Sequence, residues 1–198
     1  PSASLQQNNS SFINQAITTT EANNPINTSD NIFTNDLSGY NIGSNLLWMH
    51  RFGKEGRTLS FNVRGNASAN EGSTNLFANN TFYRATIETD TLAQEGLPLS
   101  KSLNVSTRTR YTEPLSARSQ LQLSYDYDLN YDDANRETYN IDPDSGLRVS
   151  LDSNVSNVFT SVYQEHEFCL TYRFNTKKLN LGTGAEYQYA TLTSDLQF

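Results

Sequence analysis

Apolar and polar residues alternate along this chain in six stretches of roughly a dozen positions each. From Ser119 to Tyr131 the alternation is cleanest: Leu121, Leu123, Tyr125, Tyr127, Leu129 and Tyr131 share one parity, while Gln120, Gln122, Ser124, Asp126, Asp128 and Asn130 share the other. Side chains of a strand point to opposite faces with period two, so this stretch predicts a strand greasy on one side and wet on the other. Tyr40 to Phe52 sets Tyr40, Ile42, Leu46, Trp48, His50 and Phe52 on one face against Asn41, Asn45 and Arg51, with Leu47 and Met49 blurring the polar side. Thr58 to Asn70 sets Leu59, Phe61, Val63 and Ala67 against Ser60, Asn62, Arg64 and Asn66. Lys101 to Tyr111 sets Leu103, Val105 and Tyr111 against Asn104, Ser106, Arg108 and Arg110. Gln164 to Phe174 sets Phe168, Leu170, Tyr172 and Phe174 against Glu167, Cys169, Thr171 and Arg173, and Leu179 to Thr191 sets Leu181, Ala185, Tyr187 and Tyr189 against Asn180, Glu186 and Gln188.

Length separates a membrane wall from a soluble sheet. Strands of soluble proteins run to about five or six residues, whereas a dozen residues at about 3.3 Å each, tilted near 40°, cover about 30 Å along a membrane normal. The connections alternate in length. Gly53–Arg57, Thr112–Arg118 and Asn175–Lys178 are short and rich in turn residues, while 71–100 and 132–163 are long, polar and acidic, as is the Asn/Thr/Ser-rich start at 1–39. Short turns at one end and long loops at the other describe an outer-membrane barrel, with Gly53, Pro114 and Lys177 on the periplasmic side. The expected fold class is therefore all-β: a long antiparallel meander of about six strands, part of a transmembrane β-barrel. A polar loop over 1–39 precedes the barrel segment 40–198, whose hairpins are 40–70, 101–131 and 164–198 and whose long loops are 71–100 and 132–163. Register follows from the turns, with Phe52 expected opposite Leu59, His50 opposite Phe61, Phe174 opposite Leu179 and Tyr172 opposite Leu181.

Aromatic placement points the same way. Phe52, Tyr111 and Phe174 each precede a short turn, where an interfacial girdle belongs, and Tyr40, Tyr127, Tyr131, Tyr187 and Tyr189 stand toward the far side of the band. The other reading of these residues is the core of a soluble β-sandwich.

Composition excludes other classes. The 198 residues are 35% hydrophobic with a formal net charge of −7 and no run of eighteen apolar residues, which removes a helical membrane protein. The acidic balance argues against nucleic acid as a partner. A single cysteine, Cys169, allows no disulfide within the chain. No basic, apolar leader opens it, so a barrel wall of this kind is expected to be an internal segment of a longer protein. Catalytic residues, cofactors and metal ligands are expected to be absent. His50 and His166 have no neighbours at triad or zinc spacing, and Asp142-Pro-Asp-Ser-Gly146 resembles the start of a calcium loop, but its twelfth position is Ser153 and not glutamate, leaving a β-turn. Ionisable residues on a membrane strand belong where water or protein meets them, so Arg51, Arg64, Arg108, Arg110, Asp126, Asp128, Glu167, Arg173 and Glu186 are the lumen-facing candidates.

Four strings go beyond alternation: Leu46–Val63 (LLWMHRFGKEGRTLSFNV), Tyr111–Tyr127 (YTEPLSARSQLQLSYDY), Thr138–Gly146 (TYNIDPDSG) and Phe168–Ala190 (FCLTYRFNTKKLNLGTGAEYQYA). Together and in this order they resemble the outer-membrane β-barrel family of Bacteroidetes TonB-dependent receptors, over nearly everything from Ser44 onward. The resemblance implies a segment of a 22-stranded barrel enclosing a plug, a bacterial outer-membrane location, and uptake of a solute. Its implied partners are outer-membrane lipid, the plug domain and the remaining barrel strands of the parent chain. The alternative from another class is a surface or soluble β-sandwich adhesin or binding module that uses its long loops.

Overall fold

The chain pairs with itself almost without interruption. In a computed structural model that describes residues 1–197, it forms one antiparallel sheet of eight strands: β1 (Ser2–Thr19), β2 (Pro25–Arg51), β3 (Thr58–Tyr83), β4 (Ile87–Ser116), β5 (Ser119–Ile141), β6 (Arg148–Leu151), β7 (Asn157–Asn175) and β8 (Asn180–Gln197). Sheet order follows chain order, β1-β2-β3-β4-β5-β7-β8, with β6 paired to β5 above β7. Each strand touches only its sheet neighbours, and the sheet is not closed.

Two strands exceed the expected six, and the expected loops are largely strand. Residues 1–39 are not a loop: β1 pairs with β2 from Ser2 opposite Gly43 to Thr19 opposite Pro25, so the second strand begins fifteen residues before Tyr40. The expected loop 71–100 is a hairpin extension of β3 and β4 that turns only at Arg84–Thr86, and most of 132–163 belongs to β5, β6 and β7. Alternation misses these stretches because both of their faces are polar. What they carry instead is one apolar row on each face: Phe12, Phe33 and Leu76 pair in line on one side, and Ile13, Ile32 and Phe77 on the other. Cross-strand aromatic and β-branched pairs of this kind stabilise a ladder by about 0.2–1 kcal/mol each.

Both predicted hairpin registers are off by two residues. His50 pairs with Leu59 and Trp48 with Phe61, while Phe174 pairs with Leu181 and Tyr172 with Thr183. The turns keep their expected length but are centred one residue away: the Phe52 N–H donates to the Arg57 carbonyl at 3.1 Å, with Arg51 and Thr58 as the last strand pair, and Thr176 N–H donates to the Leu179 carbonyl at 2.7 Å, with Asn175 and Asn180 as the last strand pair. A slip of two preserves parity, so the face of every side chain is unchanged.

Directly paired residues share a face, which makes the register a map of the two sides. Through His50–Leu59–Tyr111–Leu123–Leu170–Ala185 and the rows beside it, the six alternating stretches place all their apolar parities on one side. That side is apolar from Leu121 to Tyr131 of β5, about 33 Å of strand. It ends abruptly at the row Ala69–Lys101–Asp133. Nothing covers it. Leu123 is 51% exposed, Trp48 50% and Tyr187 64%, and Ala78 is the one buried apolar residue among those described. A sandwich needs a second layer, and the described residues form one.

Local chemistry explains two irregularities. The β3–β4 ladder opens between Glu71–Leu99 and Thr74–Gly96, where Pro98 has no N–H to give. Gly72 stands in that gap with the Asp36 carbonyl only 2.0 Å from where a Cβ would sit. The strand returning along β5 is cut into β6 and β7 by the turn Asp152–Ser156. There the Asp152 N–H donates to the Thr138 carbonyl at 2.8 Å, the Ser156 hydroxyl accepts from the Thr138 N–H at 2.9 Å, and that hydroxyl donates to the Asp152 carbonyl at 2.6 Å. Thr138 and Ser156 are the buried polar residues among those described.

Candidate functional site: the charged face and the two ends

Opposite the apolar band lies a face whose pairing rows bring the sequence-predicted ionisable residues side by side. Asn62, Arg108, Asp126, Glu167 and Gln188 form one row; Arg64, Ser106, Asp128 and Glu165 form the next; Arg110, Ser124, Cys169 and Glu186 form the third. Arg51 pairs with Thr58 and Arg173 with Gly182, both nearer the short turns. All nine candidates share this face. One ion pair forms among them: Arg108 Nε donates to Asp126 Oδ2 at 2.7 Å, while the other carboxylate oxygen of Asp126 is buried without a partner. Neither Arg64 nor Arg110 has a carboxylate within ion-pairing distance among the described residues.

Glu165 is the residue this set lacked. It takes hydrogen bonds from the Tyr163 hydroxyl and from the Gln188 amide of β8. Parity alone signals it, since Glu165 and Glu167 are two apart on one strand. Cys169 is half-buried on this face, beside the Thr171 hydroxyl at 3.5 Å.

The two histidines lie on the apolar side. His50 stacks on Trp48 and meets Phe52 edge-on with ring centres 4.6 Å apart, and Phe52 in turn meets Tyr111 at 6.3 Å. His166 shares a hydrogen bond of 2.9 Å with the Tyr125 hydroxyl and packs among Tyr127 and Tyr189.

The upper girdle residues descend across the sheet from β2 to β8, with Tyr127 and Tyr189 on one row. Through the register, Tyr40 of β2 stands level with Asp133 of β5, whereas Tyr189 and Tyr187 of β8 stand level with Tyr127 and Tyr125. The upper aromatics thus descend six to eight residues over five strand-to-strand steps. At about 3.3 Å per residue and about 4.8 Å per step, that line is inclined by about 40–48° to the rows. The lower residues follow no single slope: Phe52, one residue past the row of Arg51, Thr58, Thr112 and Gln122, is level with Leu121, Tyr111 with Leu123 and Phe174 with Ser119.

The turn end is held by Glu113, which stands on the apolar side opposite Leu121, where the band stops. Its carboxylate accepts from Arg57 Nε at 2.7 Å and Nη2 at 2.8 Å, from Lys54 Nζ at 2.7 Å and from the Tyr111 hydroxyl at 2.6 Å, which joins the β2–β3 turn to β4. Arg57, seconded by Lys54 and Tyr111, holds this carboxyl far below the usual carboxylate range. The end as a whole is basic: segments 51–57, 112–118 and 173–178 carry Arg51, Lys54, Arg57, Arg118, Arg173, Lys177 and Lys178 against Glu55 and Glu113. At the far end, Arg148 Nε donates to Glu95 at 2.7 Å, lowering that carboxyl, and its guanidinium lies 4.9 Å from the Tyr139 ring centre. Asp142 accepts from the Ser145 hydroxyl at 2.6 Å and from the Asp144 N–H at 3.2 Å, and Gly146 takes a φ of 69°, so the calcium-like string is a hydrogen-bonded turn. No group of three or more His, Cys, Asp or Glu that could hold a metal is found among the described residues.

No protein-family model matches the chain, and no curated protein matches it.

Proposed function

We propose that this chain is a wall segment of a TonB-dependent outer-membrane receptor that takes up a solute across the bacterial outer membrane. The observation that carries the reading is the slope of the upper aromatic line, from Tyr40 on β2 to Tyr187 and Tyr189 on β8. Strands of outer-membrane barrels tilt by about 35–45° to the membrane normal, and an interface parallel to the membrane then cuts the pairing rows at that same angle. Tyrosines chosen from sequence for their distance to the turns lie along such a line. A band of about 33 Å of strand, tilted by about 40°, is about 25 Å tall, the height of the apolar belt of such barrels.

On this reading the apolar side meets lipid, and the charged side faces the lumen, where Arg64, Arg108, Arg110, Asp126, Glu167 and Glu186 contact the plug or line the path of the solute. The strands above Asp133, polar on both faces, extend past the membrane into the surroundings of the cell. The test is made on the intact protein: it should fractionate with the outer membrane, migrate as a heat-modifiable species, and support uptake that stops when TonB is removed. Recovery in the soluble fraction, with no heat-modifiable form, would refute the reading.

A further inference from the structure

We propose that the turn end carries a docking surface for anionic phospholipid headgroups, formed by Arg118, Lys177 and Lys178. The inference rests on the membrane reading above and adds a lipid preference to it. The two hairpin ends that present these cations are tied together: the Asn175 N–H donates to the Arg118 carbonyl at 2.7 Å. Arg118, Lys177 and Lys178, with Asn175 and Thr176, line one open concavity. All three cations are exposed, and none has a carboxylate within 4.0 Å among the described residues.

Charge distribution argues for the occupant. The chain is acidic, with 14 Lys and Arg against 21 Asp and Glu, yet half of its cations gather at this end. Of the two carboxylates at this end, Glu113 is already held by Lys54 and Arg57, and Glu55, which lines a neighbouring concavity with Arg118, forms no ion pair with it. Position argues for it as well. Phe174 ends the apolar face directly before Asn175, and Arg118 precedes Ser119, its pairing partner. The cations therefore stand within a few residues of the edge of the band. A headgroup layer is about 5–8 Å thick on each side of the hydrocarbon, so their side chains fall at phosphate depth. Uncompensated cations at that depth attract anionic lipid, and each is worth about fivefold in partitioning at moderate ionic strength.

The intact protein is refolded with vesicles of phosphatidylcholine alone or with 30% phosphatidylglycerol, and the bound fraction is measured by flotation at low and high salt. The expected result is at least a tenfold preference for the anionic vesicles that falls with salt. It should be lost in Arg118→Gln/Lys177→Gln/Lys178→Gln and kept in Arg84→Gln/Arg136→Gln, which removes cations beyond the far edge of the band. Equal partitioning of the parent protein into both vesicles, or a preference that survives the triple substitution, overturns the proposal. So does polyglutamate competing as well as the anionic vesicles, which would make the occupant an acidic protein. Protease protection of the strands in phosphatidylcholine vesicles reports separately on membrane spanning: a protein that spans without lipid preference contradicts only the docking surface, and one that adsorbs to anionic vesicles while staying fully digestible contradicts the spanning reading.

Discussion

At the scale of the residue, what decides a side chain's role is its parity, because the register carries each parity to one side of the whole sheet. Leu123 and Leu170 are directly paired on the apolar side, and Gln122 sits between them and the turn on the charged side. Leu123→Arg or Leu170→Arg should cost about 1–2 kcal/mol of folding stability in lipid, since both lie inside the band but only two residues from its turn edge at Leu121. Gln122→Arg should change it by less than about 0.5 kcal/mol. Denaturant titration of the vesicle-inserted protein checks this, and equal losses for both kinds of substitution would contradict the assignment of faces. Glu113 gives a second residue-scale expectation. Its carboxyl is depressed in the folded protein, so the stabilising contribution is complete above the ordinary glutamate value of about 4.3 and is lost as pH falls below that toward the folded value. Between pH 5 and 7 the stability of the parent and of Glu113→Gln should therefore run parallel. Below about pH 4 the parent should lose stability that the variant does not. Hydrogen exchange at the Phe52 amide, which bridges the same turn, reads this locally.

At the scale of the element, the six amphipathic stretches and the three short turns were legible from sequence because an apolar face and a polar face impose a strict period of two. The strand Ser2–Thr19 and the strand portions 25–39, 71–83 and 87–100 were not, because polar residues on both faces leave no period to read. Their pairing follows instead from partners that are far apart in sequence, such as Phe33 with Leu76. The register error lies in the turns: parity is fixed by the pattern, but where the turn is centred sets which of two equivalent rows is used, and a shift of one residue in the centre moves the register by two. Of the charged face, nine residues were recognised and Glu165 was passed over, while the Glu113 cluster joins two turns that sequence treats as separate. The interruption between β6 and β7 gives an element-scale test. Ser156→Ala removes the acceptor of a buried Thr138 N–H. It should destabilise the β5–β7 edge by about 1–3 kcal/mol. Faster exchange of the Thr138 amide, with the Leu123 amide unchanged, is the expected signature.

At the scale of the whole molecule, the sheet has no interior. Hydrogen-bonded ladders hold the strands to each other, but the apolar band with Trp48, Phe61, Leu123, Leu170 and Leu181 remains open to whatever surrounds it. A contiguous patch far above a few hundred Å² does not stay uncovered in water, and the outer edges of β1 and β8 offer unpaired backbone groups. Light scattering on the purified chain should show self-association without detergent and a defined species with it. The central claim is that one face of these strands lies in a bilayer and the other in water. The most direct measurement is a nitroxide scan along β5 of the intact, membrane-inserted protein, comparing collisions with oxygen, which concentrates in lipid, against a water-soluble nickel chelate. The account predicts oxygen maxima at positions 121, 123, 125, 127, 129 and 131, nickel maxima at the even positions between them, and loss of the alternation beyond Asp133. Uniform access of the nickel chelate along 119–133, or maxima on the opposite parity, would contradict it.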